Sequence, residues 1–250
     1  MQLFTKQFTK IKERLLNLEC LLSTKWASSA HKRLQYHQWR NHHGIGSNGS
    51  GPGYYEHDFN LYWHWKESRD PSWVDRGVFG RLAMKGGRLL ELSCGDGFNT
   101  RNFYSLFASH VIALDIDPVA VETANRKHSA PNIEYRVGDM RKGLPEGPFT
   151  NVVWDGGMEY MSLQETQVMF ENIKTVLTQD GIFSGCAIIA TEEMRQSPRF
   201  KHLIRDDSEL VELLKPYFPN LRMFTTKTSY DLQFLFFWAS CGELPTIQVV

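Results

Sequence analysis

The 250 residues, 42% hydrophobic and 22% charged, supply enough apolar material for one sizeable core in a globular protein. Lys plus Arg equal Asp plus Glu at 28 each, so no global basic field exists to hold a phosphate backbone, which argues against nucleic acid as the main partner. Four scattered cysteines with no CxxC or Cys/His ligand spacing predict free thiols, and the lack of a membrane-length apolar run or secretory signal pattern predicts a cytoplasmic protein.

In chain order, Phe4, Phe8, Ile11, Leu15, Leu18, Leu22 and Trp26 recur at spacings of four and three, the period of an amphipathic helix. Its polar positions are mostly basic. Three readings compete: packing against protein, a membrane-surface helix and a targeting presequence. The regular three-four spacing favours packing against protein, as self-association, on a partner or on the domain itself, over a membrane role. Residues 30–43 are again basic and carry His31, His37, His42 and His43, with no acid or cysteine to complete a metal site. Gly44 to Gly53 has the composition of a flexible linker. These features predict a helical extension over 1–43, a linker over 44–53 and a main domain over 54–250. Residues 54–85 open that domain, and their dense tyrosines, tryptophans and histidines make them a candidate lid, an aromatic surface suited to a cation.

From Arg88 apolar strand-like runs alternate with helical ones. Strands are predicted at 88–93, 110–115, 132–137, 151–155 and 181–190, and helices at 99–108, 118–127 and 163–177, with Thr178 to Gly181 as a helix end and turn. Strands separated by helices pair in parallel through right-handed crossovers. After a helix at 208–214, two β-rich runs, 221–228 and 232–240, are joined by a turn too short for a parallel crossover, so the last strand is expected to be antiparallel.

The first strand ends in Glu91-Leu-Ser-Cys-Gly95-Asp-Gly97, and the second ends in Asp115, eighteen residues after Gly97. Glycines there let the backbone lie against a ligand, and a carboxylate at the second strand end suits a ribose diol. A dinucleotide fingerprint wants a third glycine where Thr100 stands. On these residues the chain resembles the class I S-adenosylmethionine-dependent methyltransferases, with Ser93 replacing the motif's first glycine at an expected small cost because serine is small. The resemblance implies an α/β fold with a Rossmann-like seven-stranded, mostly parallel sheet and an antiparallel C-terminal hairpin strand. It also implies S-adenosylmethionine as cofactor. Glu91, Ser93, Gly95 and Gly97 would face its methionine end, Asp115 its ribose, and Ile116, Asp139 and Met140 its adenine. Asp155, ending strand four, completes the expected set.

The run Trp154-Asp-Gly-Gly-Met-Glu-Tyr160 resembles the family's methyl-transfer segment, with Glu159 matching and Tyr160 in place of a histidine. Glu159, Tyr160, His202 and His57 are the candidate bases. Asp155 alone does not make a metal site of the catechol-methyltransferase type. Strand five ends Ile188-Ile-Ala-Thr-Glu-Glu193 without that type's Asp-Asn pair, and a hard cation needs several oxygen ligands, so no metal is expected. The expected activity is methyl transfer to oxygen or nitrogen of a small metabolite. The alternatives are a sugar or polysaccharide-precursor acceptor, an inactive cofactor-binding protein working through its N-terminal helix, and an NAD-dependent oxidoreductase.

Overall fold

The computed structural model describes residues 14–27, 29–30, 33, 72–198, 200–227 and 232–246. The chain divides into two compact units, Met1–Trp63 and His64–Val250. The 44–53 linker, most of the 54–85 aromatic segment including His57, the histidines between 31 and 43, and the closing turn at 229–231 lie outside the described residues. In the first unit, residues 14–27 are helical.

The second unit is built on one seven-stranded sheet. Its strands are β1 (Arg88–Leu92), β2 (His110–Asp115), β3 (Ile133–Val137), β4 (Phe149–Asp155), β5 (Leu177–Ile189), β6 (Asn220–Lys227) and β7 (Gln233–Ser240). They lie in the order β3-β2-β1-β4-β5-β7-β6. The first five pair in parallel, and β7 runs antiparallel between β5 and β6. This is the expected sheet, with the order reversing between β1 and β4, where such sheets open a crevice beyond the strand ends.

Strand alternation sorts the core into two layers. Leu90, Leu92, Ile112 and Leu114 join one cluster with Trp154, Phe170 and Phe183. Leu89, Val111, Ala113 and Val153 point the other way, against Tyr104, Ala124 and Tyr135. Both faces are therefore covered, which is why these strands read as near-continuous apolar runs. Helices α1 (Ser72–Arg81), α2 (Phe98–Asn102), α3 (Pro118–Lys127), α4 (Leu163–Val176), α5 (Glu192–Arg195) and α6 (Asp207–Leu214) connect them. Local chemistry sets their starts. Pro118 takes the first turn of α3 while the Asp117 side chain accepts from the Val119 N–H, and Ser162 and Glu165 form a reciprocal capping box on α4.

Two expectations need correction. The predicted 99–108 helix is broken: α2 ends at Asn102 and a single 3-10 turn, Tyr104–Leu106, follows it. Residues 177–180 are strand, not a helix end and turn, because Leu177 pairs with Phe149 before the register shifts to Ile182 opposite Asn151. Polar Thr178, Gln179 and Asp180 hid that strand start, since tertiary pairing overrode their turn propensity.

Candidate functional site

The turn after β1 is fastened from both neighbouring strands. The Cys94 N–H donates to the Leu114 carbonyl at 2.9 Å, and the Gly95 N–H donates to Asp115 Oδ2 at 2.8 Å. Gly95 and Gly97 have φ of 57° and 77°, the left-handed region that glycine enters without penalty. A Cβ at Gly97 would also overlap the Tyr135 hydroxyl. That hydroxyl donates to the His128 carbonyl at 3.0 Å, and His128 Nδ1 lies 2.7 Å from the Asp96 carbonyl, so a buried Tyr-His pair props the turn from β3 and the end of α3. Asp96 itself turns the chain, its Oδ1 accepting from the Phe98 N–H.

Asp115 accepts twice, from Gly95 at Oδ2 and from the Asp117 N–H at Oδ1, 2.9 Å away. Burial lifts its carboxyl above the usual range, and those two N–H donors oppose the rise. Lone pairs remain on both oxygens for further donors. Beside it opens a cavity of about 210 Å³. Ser93, Asp115 and Ile116 form one wall, Gly138, Asp139, Met140 and Arg141 a second, and Gly157, Tyr160 and Met161 a third. The cavity thus joins the ends of β1, β2 and β3 to the turn after β4. Asp139 is already gripped by Arg141, Nε to Oδ1 and Nη2 to Oδ2, both at 2.8 Å, and this fork holds its carboxyl below the usual range.

Residues 89–181 match the family model described as a methyltransferase domain. Those residues form a methyltransferase domain. No curated protein matches the sequence. Among solved structures the chain is similar to DhpI in complex with S-adenosylhomocysteine, at 18% identity over 83% of this chain and 95% of that one, with a TM-score of 0.55. It is also similar to the N-methyltransferase NodS from Bradyrhizobium japonicum WM9 with S-adenosyl-L-homocysteine, at 14% identity, 73% and 93% coverage, and a TM-score of 0.56. A third is phosphoethanolamine N-methyltransferase 2 of Haemonchus contortus with S-adenosyl-L-methionine, at 14% identity, 74% and 56% coverage, and a TM-score of 0.59. At these identities the likeness is one of fold.

Within the methyltransferase domain the cavity collects Ser93, Asp115, Ile116, Asp139, Met140 and Tyr160 from the residues named by sequence. It does not collect Glu91, Gly95, Gly97 or Asp155. Glu91 shares a strand face with Leu89, on the side covered by α2 and α3, and is only 3% exposed. Burial pushes its pKa up to about 8, the Thr100 hydroxyl opposing the rise and the charges of Asp155, Asp115 and Asp96 adding to it. Its Oε2 has no hydrogen-bond partner among the described residues, and neither does Asn99 Oδ1. These are two buried acceptors without a donor, set behind the cavity wall rather than on it.

Asp155 is held instead by a residue that sequence reasoning missed. Arg76 of α1 donates from Nε to Asp155 Oδ1 at 2.7 Å and from Nη2 to the Asp155 carbonyl at 3.0 Å, while the Asn99 amide donates to Oδ2 at 3.2 Å. No local pattern links an arginine to an aspartate 79 positions later. The pair fixes the end of β4 against α1 and α2, directly before Gly156 and Gly157, whose φ values of 80° and 96° turn the chain toward the cavity.

The candidate bases separate. Tyr160 faces the cavity and its ring stands 5.7 Å from that of Phe200. Glu159 turns back, with Oε2 accepting from the Gly157 N–H at 2.9 Å. His202 lies 3.2 Å from Glu209 and lines a separate space of about 10 Å³ with Glu159 and Thr166, room for about one water. Among the described residues no three His, Cys, Asp or Glu side chains cluster as a metal ion requires.

Ser93 corrects the sequence expectation. Its size is not the issue: its φ is 60°, in the region that costs a residue with a Cβ about 1–2 kcal/mol. A Cβ on Gly157 would come within 2.9 Å of its hydroxyl, although the φ of 96° at 157 is by itself what favours glycine there.

Proposed function

We propose that this domain moves a methyl group from S-adenosylmethionine to an oxygen or nitrogen atom of a small metabolite. The observation that carries the reading is the cavity running from Asp115 past Ser93 to Gly157 and Tyr160, on the residues of the methyltransferase motifs. Asp115 would accept from the ribose hydroxyls with the lone pairs left free by Gly95 and Asp117. Ile116 and Met140 would bracket the adenine, with Asp139 at its amino edge. Glu91 and Asn99 supply the unpartnered acceptors for the ammonium.

When bound, S-adenosylmethionine supplies a carbon already activated by positive sulfur, so alignment of the acceptor matters more than acid-base help. The protein's part is to orient the acceptor and keep water out. Tyr160 and Phe200 are suited to that, as a pair of aromatic rings beside the third wall of the cavity. The same rings favour a second reading, a sugar-ring acceptor. The relatives named for small acceptors, such as phosphoethanolamine N-methyltransferase 2, are consistent with the small-metabolite class.

Isothermal titration of the full chain with S-adenosylmethionine, S-adenosylhomocysteine and NAD tests the reading. Both sulfur ligands are expected to bind, and Asp115→Ala to weaken them by about a hundredfold through loss of charge-assisted hydrogen bonds. Binding of NAD alone would overturn the proposal, and undiminished affinity in Asp115→Ala would overturn the ribose assignment.

A further inference from the structure

The overall neutrality of the chain conceals a division. Residues 1–43 hold eight Lys and Arg against two Glu, a net charge of +6, so the remaining residues carry 20 basic and 26 acidic side chains, a net charge of −6. Within the basic part, the helix over 14–27 exposes its large apolar side chains. Leu15, Leu18, Leu22 and Trp26 follow one another at helical spacing and are 61%, 54%, 59% and 71% exposed, and Leu21 beside them is 60% exposed. The polar side needs nothing from outside at Thr24, whose hydroxyl donates to the Cys20 carbonyl within the helix.

We propose that this helix docks on an anionic lipid surface, with its apolar face in the boundary between headgroups and acyl chains and its basic neighbours at the phosphates. A basic amphipathic helix with leucines and a tryptophan on one face is the composition such a boundary selects. Spacing alone favours a helix-helix seam, but the charge alters the balance. Pairing the extensions of two copies would set one +6 segment beside another, and like charges repel. Nucleic acid would satisfy the charge and leave the leucines in water. An anionic membrane satisfies both. The remainder of the chain, at −6, is repelled by such a surface, so the extension must supply all of the attraction.

The test is co-sedimentation of the full chain with phosphatidylcholine vesicles, pure or with about 30% phosphatidylglycerol, at low salt and at about 0.5 M salt. The bound fraction is expected to be about tenfold higher on the anionic vesicles and to fall at high salt. Leu18→Asp/Leu22→Asp should lower it about tenfold, and Arg14→Glu/Lys25→Glu, which takes the extension from +6 to +2, should cut the preference for anionic lipid several-fold. Circular dichroism and the thermal midpoint of the full chain check that each variant stays folded. Equal binding to both vesicle types overturns the proposal, as does full binding by the folded Leu18→Asp/Leu22→Asp chain. So does a dimer in light scattering that this variant dissolves while the parent ignores vesicles, or duplex DNA binding that outcompetes the vesicles.

Discussion

Glu91→Gln keeps the shape of a buried side chain and removes its charge. In the unfolded chain this carboxyl titrates near 4.5, and in the folded domain burial moves it up to about 8. Between those values the folded protein holds a proton that the unfolded chain has released, so stability falls as pH rises through the window. The gap of about 3.5 pH units at 1.36 kcal/mol each sets an upper figure of about 5 kcal/mol lost between pH 4.5 and 8. The glutamine variant carries no such slope. Urea unfolding at pH 5 should find the two proteins within about 1 kcal/mol, while at pH 8.5 the variant should be the more stable by several. Parallel pH profiles would refute the assignment. A ligand ammonium reaching Oε2 would reverse the effect by favouring the ionised carboxylate. Adenosylmethionine binding at pH 7 should then release close to one proton, read as a dependence of calorimetric heat on the buffer's ionisation enthalpy. That release should vanish in Glu91→Gln, and its absence in the parent would place the ammonium elsewhere without touching the stability result.

Ser93→Gly should raise stability, because relief of about 1–2 kcal/mol of left-handed strain exceeds the 0.5–1 kcal/mol entropic cost of a glycine. A thermal midpoint one to three degrees higher, of the order expected for a domain this size, is the readout, and a lower midpoint would contradict the strain. Arg76→Met should cost about 3–5 kcal/mol by leaving Asp155 buried without its cation, and adding Asp155→Asn should restore part of it. Additive losses in the double variant would show that the two side chains do not act as a pair.

What could be read from the sequence was what short-range chemistry decides. The Asp117-Pro118 helix start, the glycines after β1 and the short connection between β6 and β7 each state their geometry within a few residues, and the sheet follows from their order. Glu91 lay within reach of the same reasoning. Alternation along β1 puts it on the face of Leu89, away from Leu90 and Leu92, so its place beneath α2 was implied by period two even though the motif drew attention to the ligand. The start of β5 was not legible, because its polar residues join the sheet only through the pairing of Leu177 with Phe149.

The Arg76–Asp155 pair was hidden for a deeper reason, and it bears on how the site works. Both partners are largely covered, at 15% and 8% side-chain exposure, so each would be costly without the other. Such a pair joins elements far apart in the sequence, here α1 and the end of β4, and it leaves no periodic trace in either. Its position makes it a clamp on the Gly156-Gly157 turn: Asp155 is the last residue of β4, and its carbonyl as well as its carboxylate is held by the arginine. The third wall of the cavity hangs from that turn, at Gly157, Tyr160 and Met161. Loosening the clamp should therefore misplace the acceptor side before it disturbs Asp115, which is fastened separately by Gly95 and Asp117. Arg76→Lys, which keeps the charge but loses the fork, should accordingly reduce turnover more than cofactor affinity.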